Sequence, residues 1–206
     1  MITEFMLFTD GGAFPKDEGK FTAVHAFRLF KIERDNKSEI ENTKLIYEEA
    51  VVHEDKTCAY AEISALAKGL ENLWKYVRAT ELEKIKASVY TDSMLYYKSL
   101  TEWIYAWIKT AKDGVFYSSS GKPVANQKEI KVAFEFLHNL HEYGTVKLFH
   151  INSHVAKKNV KKLKEKFEDF NKCAVSDLEF LFIYAQNAQC DEMVKEKYAK
   201  YIEINN

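Results

Sequence analysis

The feature that most constrains this chain is the order in which its hydrophobic period changes. Within the first fifty residues three strand-like stretches follow one another closely: residues 2–10, KFTAVHAFRLFKI (20–32) and TKLIYEEAVVH (43–53). Polar, turn-prone residues separate them, and such close succession predicts an antiparallel meander. Over 58–78 the period becomes helical, with Ala59, Ile63, Leu66, Leu70, Leu73, Trp74 and Val77 recurring on one face. IKASVYTD (85–92) then reads as a buried strand, and DSMLYYKSLTEWIYAWIK (92–109) as one or two helices. A loop, DGVFYSSSGKPVAN, leads into a helix at QKEIKVAFEFLHNLHEY (127–143). Gly144 stops that helix, TVKLFHI (145–151) supplies a fifth strand, and the remainder is helical and charged. The order predicts an α/β fold: a mixed five-stranded sheet, three antiparallel strands and then two parallel ones, flanked by helices.

Length and composition set the remaining bounds. A chain of 206 residues suits a single domain, and 47% apolar residues leave no room for wholesale disorder. The formal net charge of −1 neither requires nor excludes a nucleic-acid partner, so any electrostatic argument must rest on local clusters. Cys58, Cys173 and Cys190 are widely spaced with no CxxC, which suggests free thiols in a reducing compartment. MITEFMLFTDGG does not read as a signal peptide, and nowhere do eighteen apolar residues follow one another. The expectation is a soluble cytoplasmic protein with no membrane partner, monomeric by default.

Four carboxylates stand out by position. Asp10 ends the first strand in MLFTDGGAF, where Asp-Gly-Gly is ordinary turn chemistry. Asp92 ends a strand in VYTDS, the usual place for a helix cap. Glu62, three after Ala59 and four before Leu66, shares a helix face with core residues, where a carboxylate is costly unless something pairs with it. Asp191 opens the last helix in NAQCDEMVKEKY, where a cap or a favourable dipole contact would explain it. Each is weak alone. Together they place two carboxylates at the ends of two neighbouring strands and one on each of two helices, at the sheet edge where ligands gather. Clustered carboxylates repel, and hard oxygen donors without a Cys/His cluster point to Mg²⁺ or Mn²⁺. Two such ions would support attack of water on a phosphodiester.

These stretches resemble type I ribonuclease H, an RNase H-like family. FTDGG is similar to the family's first-strand motif, TCAYAEISAL to the segment around its helical glutamate, and VYTDS to its third acidic position. LTEWIYAW, SGKPVAN, NSHV and NAQCDEM follow in the family's order, so the likeness covers nearly the whole chain. The resemblance implies a two-metal endonuclease that cuts the RNA strand of RNA–DNA hybrids, leaving 5′-phosphate and 3′-hydroxyl ends. By that likeness Asp10 bridges two Mg²⁺ ions (Mn²⁺ a possible substitute), Glu62 and Asp92 hold one, and Asp191 completes the other. His154 assists proton transfer or product departure, Asn187 orients the site, and Thr57 meets a DNA-strand phosphate. Gly11 and Gly12 let backbone approach the RNA, and Trp103 lies near the hybrid.

The chain also departs from that pattern. Cys58 and Ala59 stand where the family often carries asparagines, and WIKTAKDGVF keeps only Lys109 and Lys112 of a basic protrusion. Between His154 and Asn187, at about 156–186, it inserts AKKNVKKLKEKFEDFNKCAVSDLEFLFIYAQ, expected to be helical. Six of the ten residues from Lys157 to Lys166 are lysine. Either this segment grips nucleic-acid backbone through Lys157, Lys158 and Lys161, or it is a solvated helix whose Phe167, Phe170, Leu178, Phe180, Leu181 and Phe182 pack on the core.

Overall fold

The computed structural model describes residues 2–16, 19–152 and 159–205. Five strands, β1 (Thr3–Pro15), β2 (Phe21–Arg34), β3 (Ile40–Glu54), β4 (Ile85–Thr91) and β5 (Gly144–His150), form one sheet in the order β3-β2-β1-β4-β5. β1 pairs antiparallel with β2 and β2 with β3; β1 pairs parallel with β4 and β4 with β5. The expected mixed sheet is therefore present, with β1 at its centre. A central strand is covered on both faces, which explains why β1 is apolar without alternation. Phe5 and Leu7 point to one face, Met6 and Phe8 to the other.

The first face carries α1 (Cys58–Ala79) and α4 (Gln127–His141). Ile63, Leu66, Leu70, Leu73 and Val77 of α1 are buried there against Phe5, Leu7, Phe27 and Leu29. The 92–109 region starts at Met94: α2 (Met94–Lys98) runs through a π-helical turn at Ser99–Trp103 into α3 (Ile104–Thr110).

The opposite face carries α5 (Val160–Asn171) and α6 (Asp177–Asn205). Leu163 and Phe167 of α5, with Phe180, Ile183 and Cys190 of α6, close over Met6, Phe8, Phe30 and Tyr90. Phe167, Phe180 and Phe182 thus pack as the sequence suggests, whereas Phe170, Leu178 and Leu181 remain exposed. Helical period explains the split: Phe180, Ile183, Asn187, Cys190 and Val194 recur on the inner face, and Leu178 and Leu181 fall off it. Arg34 locks this layer to the sheet, its guanidinium donating to Glu4 at 2.6 and 2.9 Å and to both carboxylate oxygens of Glu179 at 2.9 Å. Among the described residues no helix is long and apolar enough to cross a membrane.

Two elements differ from the sequence reading. β1 does not end at Asp10; it continues extended through Gly11 and Gly12 to Pro15, paired with β2 throughout. Asp-Gly-Gly makes no turn here, because the β2 ladder holds it extended. The last helix opens at Asp177, not near Asp191, so neither a cap nor an N-terminal dipole accounts for Asp191.

Candidate active site

The parallel ladder between β1 and β4 stops at the pair Thr9–Thr91. Asp10 and Asp92 are therefore the next residues on two adjacent strands, just past their shared ladder. Thr9 ties that end together, its hydroxyl donating to the Tyr90 carbonyl at 3.1 Å. The Thr91 carbonyl accepts from Ile151 N–H at 2.9 Å, and the Asp92 carbonyl accepts from the His150 ring at 3.1 Å. That last partner requires Nε2 to carry the ring proton. Burial pushes the His150 pKa below its ordinary value, which favours the neutral ring.

Two glycines bring the helices in. A methyl group on Gly11 would lie 2.3 Å from the Glu62 backbone nitrogen and 2.5 Å from the Ala61 carbonyl carbon. Only a residue without Cβ lets α1 cross β1 here, and the crossing carries Glu62 beside Asp10. On Gly12 the added carbon would lie 2.9 Å from Val194 Cγ1, one turn of α6 from Asp191. The Cβ side of Gly11 faces α1 and that of Gly12 faces α6, while both residues also line the cleft. They let the site assemble.

Asp10, Glu62, Asp92 and Asp191 line one cleft of about 750 Å³, with Gly11, Gly12, Cys58, Asn187 and Lys195 also in its walls. Burial, then the negative charge of Asp92, with Asp191 and Glu62 adding less, pushes the Asp10 carboxyl up to about 7. The Gly11 N–H, donating to Asp10 Oδ1 at 2.7 Å, opposes that rise without cancelling it. Glu62 Oε2 accepts from Ser93 Oγ at 2.6 Å, its other oxygen lies 3.8 Å from Cys58 Sγ, and Asp191 Oδ2 accepts from Lys195 Nζ at 2.5 Å.

Among the described residues no three His, Cys, Asp or Glu side chains close on a single point as in a preformed metal centre. The geometry reconciles that with the mutual repulsion felt at Asp10. The carboxylates share a cleft, but hydrogen bonds to Gly11, Ser93 and Lys195 hold their oxygens on separate partners. The donor set nevertheless suits a divalent cation: hard oxygens of concentrated negative charge, with Asn187 Oδ1 buried and unpartnered in the same wall.

The other residues singled out from the sequence fall in several places. Thr57 caps α1, its hydroxyl accepting from Tyr60 N–H at 3.2 Å. Trp103 is partly exposed in the π-helical turn, 6.0 Å ring to ring from Trp107, and lines a separate cleft with Lys112, Tyr117 and Ser118. Trp107 packs toward the core beside Phe116. Lys161 is exposed on the first turn of α5. His154, Lys157 and Lys158 lie outside the described residues. Cys58, noted from the sequence only as a departure from the family pattern, lies in the cleft wall; its thiol faces the Gly11 carbonyl at 3.4 Å and is pushed up to about 11 by burial and the nearby carboxylates, Glu62 first. Sequence reasoning missed the site contacts of Ser93 and His150; their neighbours in sequence were the only signal.

The RNase H family model matches residues 3–198 of this chain. The chain belongs to the RNase H family. No curated protein matches it. Among solved structures it is similar to the PFV RNase H domain, at TM-score 0.59 and 16% identity over 95% of this chain and 94% of that one. It is also similar to LC11-RNase H1 isolated from compost, at TM-score 0.54 and 17% identity over 97% and 98%. A third is the foamy viral protease-reverse transcriptase in complex with RNA/DNA hybrid: TM-score 0.54, 15% identity, over 71% of this chain and 17% of that longer one. At such identities these likenesses establish the shared fold, and the family model establishes membership.

Proposed function

We propose that this RNase H-family chain hydrolyses the RNA strand of RNA–DNA hybrids, leaving 5′-phosphate and 3′-hydroxyl ends. The observation that carries the reading is the convergence of Asp10, Glu62, Asp92 and Asp191 on one cleft at the end of the β1–β4 ladder. A protein gains nothing in stability from such a cluster, since Asp10 is held up to about 7 by its burial and its neighbours. Two divalent cations held by these four carboxylates, Mg²⁺ or Mn²⁺ in its place, would neutralise charge on the scissile phosphate and lower the pKa of an attacking water.

The chain's own residues prepare that chemistry in three ways. Gly11 and Gly12 fix the approach of Glu62 and Asp191 to Asp10. Ser93 and Lys195 hold Glu62 and Asp191 within the cleft. Asn187 presents an amide oxygen beside them, suited to orienting the site. The proposal assigns His154 to proton transfer or product departure. Thr57 and Trp103 are assigned to contacts with the DNA strand and the hybrid. The solved RNase H-fold protein bound to RNA/DNA hybrid supports the choice of substrate.

The test is substrate choice. With Mg²⁺, labelled RNA–DNA hybrid should be cut in its RNA strand while duplex DNA and duplex RNA are left intact. Cleavage of either duplex in preference to hybrid would move the chain to a related nuclease activity, which Cys58 and Ala59 at the start of α1 would then help to explain. No metal-dependent cleavage of any of the three would contradict the proposal outright.

A further inference from the structure

The lysine-rich helix α5 is linked to Asp92 of the acidic cleft through its last residue and His150. Asn171 closes α5 and pairs with the end of β5: its Nδ2 donates to the His150 carbonyl at 2.9 Å, and His150 N–H donates to its Oδ1 at 2.9 Å. The same Nδ2 donates to Phe167 within α5, so the amide is anchored on both sides. This side chain replaces the neighbouring strand that β5, an edge strand, lacks at its final residue. The His150 ring sits 5.3 Å from Phe170 of α5 and 6.1 Å from Tyr97 of α2, centroid to centroid. Its Nε2 donates to the Asp92 carbonyl at 3.1 Å.

Asp92 stands one residue past its strand, and the ladder that fixes Thr91 no longer holds it. The imidazole therefore supplies a hold on the Asp92 peptide after the sheet has ended. We propose that His150, steadied by Asn171 and Phe170 of the lysine-rich segment, is a positioning residue that aims the Asp92 carboxylate into the cleft. The inference rests on the reading of that cleft as a cation-dependent site. On this view the segment's contribution to activity runs through its C-terminal end, through packing and two hydrogen-bonded pairs, rather than through its lysines.

Two substitutions separate positioning from packing. His150→Phe keeps a ring between Tyr97 and Phe170 and removes the donor; His150→Gln returns a donor near Nε2. Mg²⁺ binding is followed by calorimetry on the protein without substrate, alongside hybrid cleavage and thermal melting in EDTA. The expected result is about tenfold weaker Mg²⁺ binding for His150→Phe, the low end for loss of a group that orients a metal ligand. Its KM for hybrid at saturating Mg²⁺ and its melting midpoint should match wild type, and His150→Gln should recover most of the Mg²⁺ affinity. Unchanged Mg²⁺ binding in His150→Phe, or equal loss in both variants with a lowered melting point, overturns the inference while wild-type activity preserves the reading of the cleft. A wild-type protein that neither binds Mg²⁺ nor cuts hybrid would overturn both.

Discussion

The two faces of the sheet deliver carboxylates by different means. On the α1 face, Glu62 arrives by close packing: a glycine without Cβ, a helix pressed to 2.3 Å of where that Cβ would be, and an apolar core behind it. On the α5/α6 face, Asp191 and Asp92 depend more on polar ties and aromatic contacts. Arg34 joins Glu4 to Glu179, Asn171 joins α5 to β5, and Phe8, Phe30 and Phe182 meet edge to face. The difference teaches that the first half of the site is seated directly against backbone and the second against side chains. The first half should therefore fail all at once and the second by degrees.

Gly11→Ala should do the most damage. The new methyl meets backbone atoms of α1, which have no rotamer to change, so a loss beyond about 4 kcal/mol or failure to fold is expected in urea melts. Gly12→Ala meets only the Val194 side chain, and repacking should limit its cost to about 1–2 kcal/mol. Equal costs would erase the contrast between backbone and side-chain contact.

Acid should find a second weak point on the α1 side. Burial, then the charges of His53 and Lys68, holds His25 down to about 3, and its Nδ1 lies 2.7 Å from His53 Nε2. The folded state binds fewer protons than the unfolded one between the ordinary value of 6.5 and about 3. Stability is thus complete above pH 6.5 and is lost as pH falls toward 3, by about 3 kcal/mol at pH 4. Urea melts of wild type and His25→Leu across that range should show a shallower acid slope in the variant; identical slopes would remove His25 as the cause.

On the other face, Arg34→Leu leaves two mostly buried carboxylates facing each other and should cost about 2–3 kcal/mol, read in the same melts. A cost near zero would mean that α6 is held by its apolar face alone. The smallest effects are expected at the lysines. Lys161→Gln should reduce the salt slope of hybrid binding by about one unit if that exposed side chain meets a phosphate. Lys164→Gln should leave the slope unchanged, because Lys164 is engaged with Asp177 at 2.6 Å and Glu168 at 3.8 Å.

Much of this arrangement was readable from residues alone. The run of strands and helices dictated the mixed sheet because β1 is apolar on both faces and the helical period begins cleanly at residue 58. The four carboxylates were found from local pattern: Asp10 and Asp92 follow apolar strand runs, Glu62 shares a helix face with core residues, and Asp191 was picked out as a helix opening although it lies inside α6. What stayed hidden depends on contacts between distant segments. Gly11 and Gly12 looked like a turn, because only the crossing of α1 and α6 reveals that they seat two helices. His150 and Asn171 drew no notice, since their pairing joins residues that no local pattern links. The start of α6 at Asp177 was missed because its inner-face residues are interrupted by polar ones, Asn187 among them.

The central claim is that the four-carboxylate cleft exists for chemistry at a cost to stability, and one substitution tests both halves. Burial and three neighbouring carboxylates hold Asp10 up to about 7 against its ordinary 3.8, so the folded state binds the extra proton in that interval. Stability then falls as pH rises from about 4 to 7, and Asp10→Asn should remove that loss. Hybrid cleavage in Mg²⁺ and urea melts in EDTA at pH 8 are measured on wild type and Asp10→Asn together. The account expects cleavage to disappear while metal-free stability rises by about 4 kcal/mol, a gain that vanishes below pH 4. Cleavage that survives the substitution, or stability that drops with it, would contradict the account.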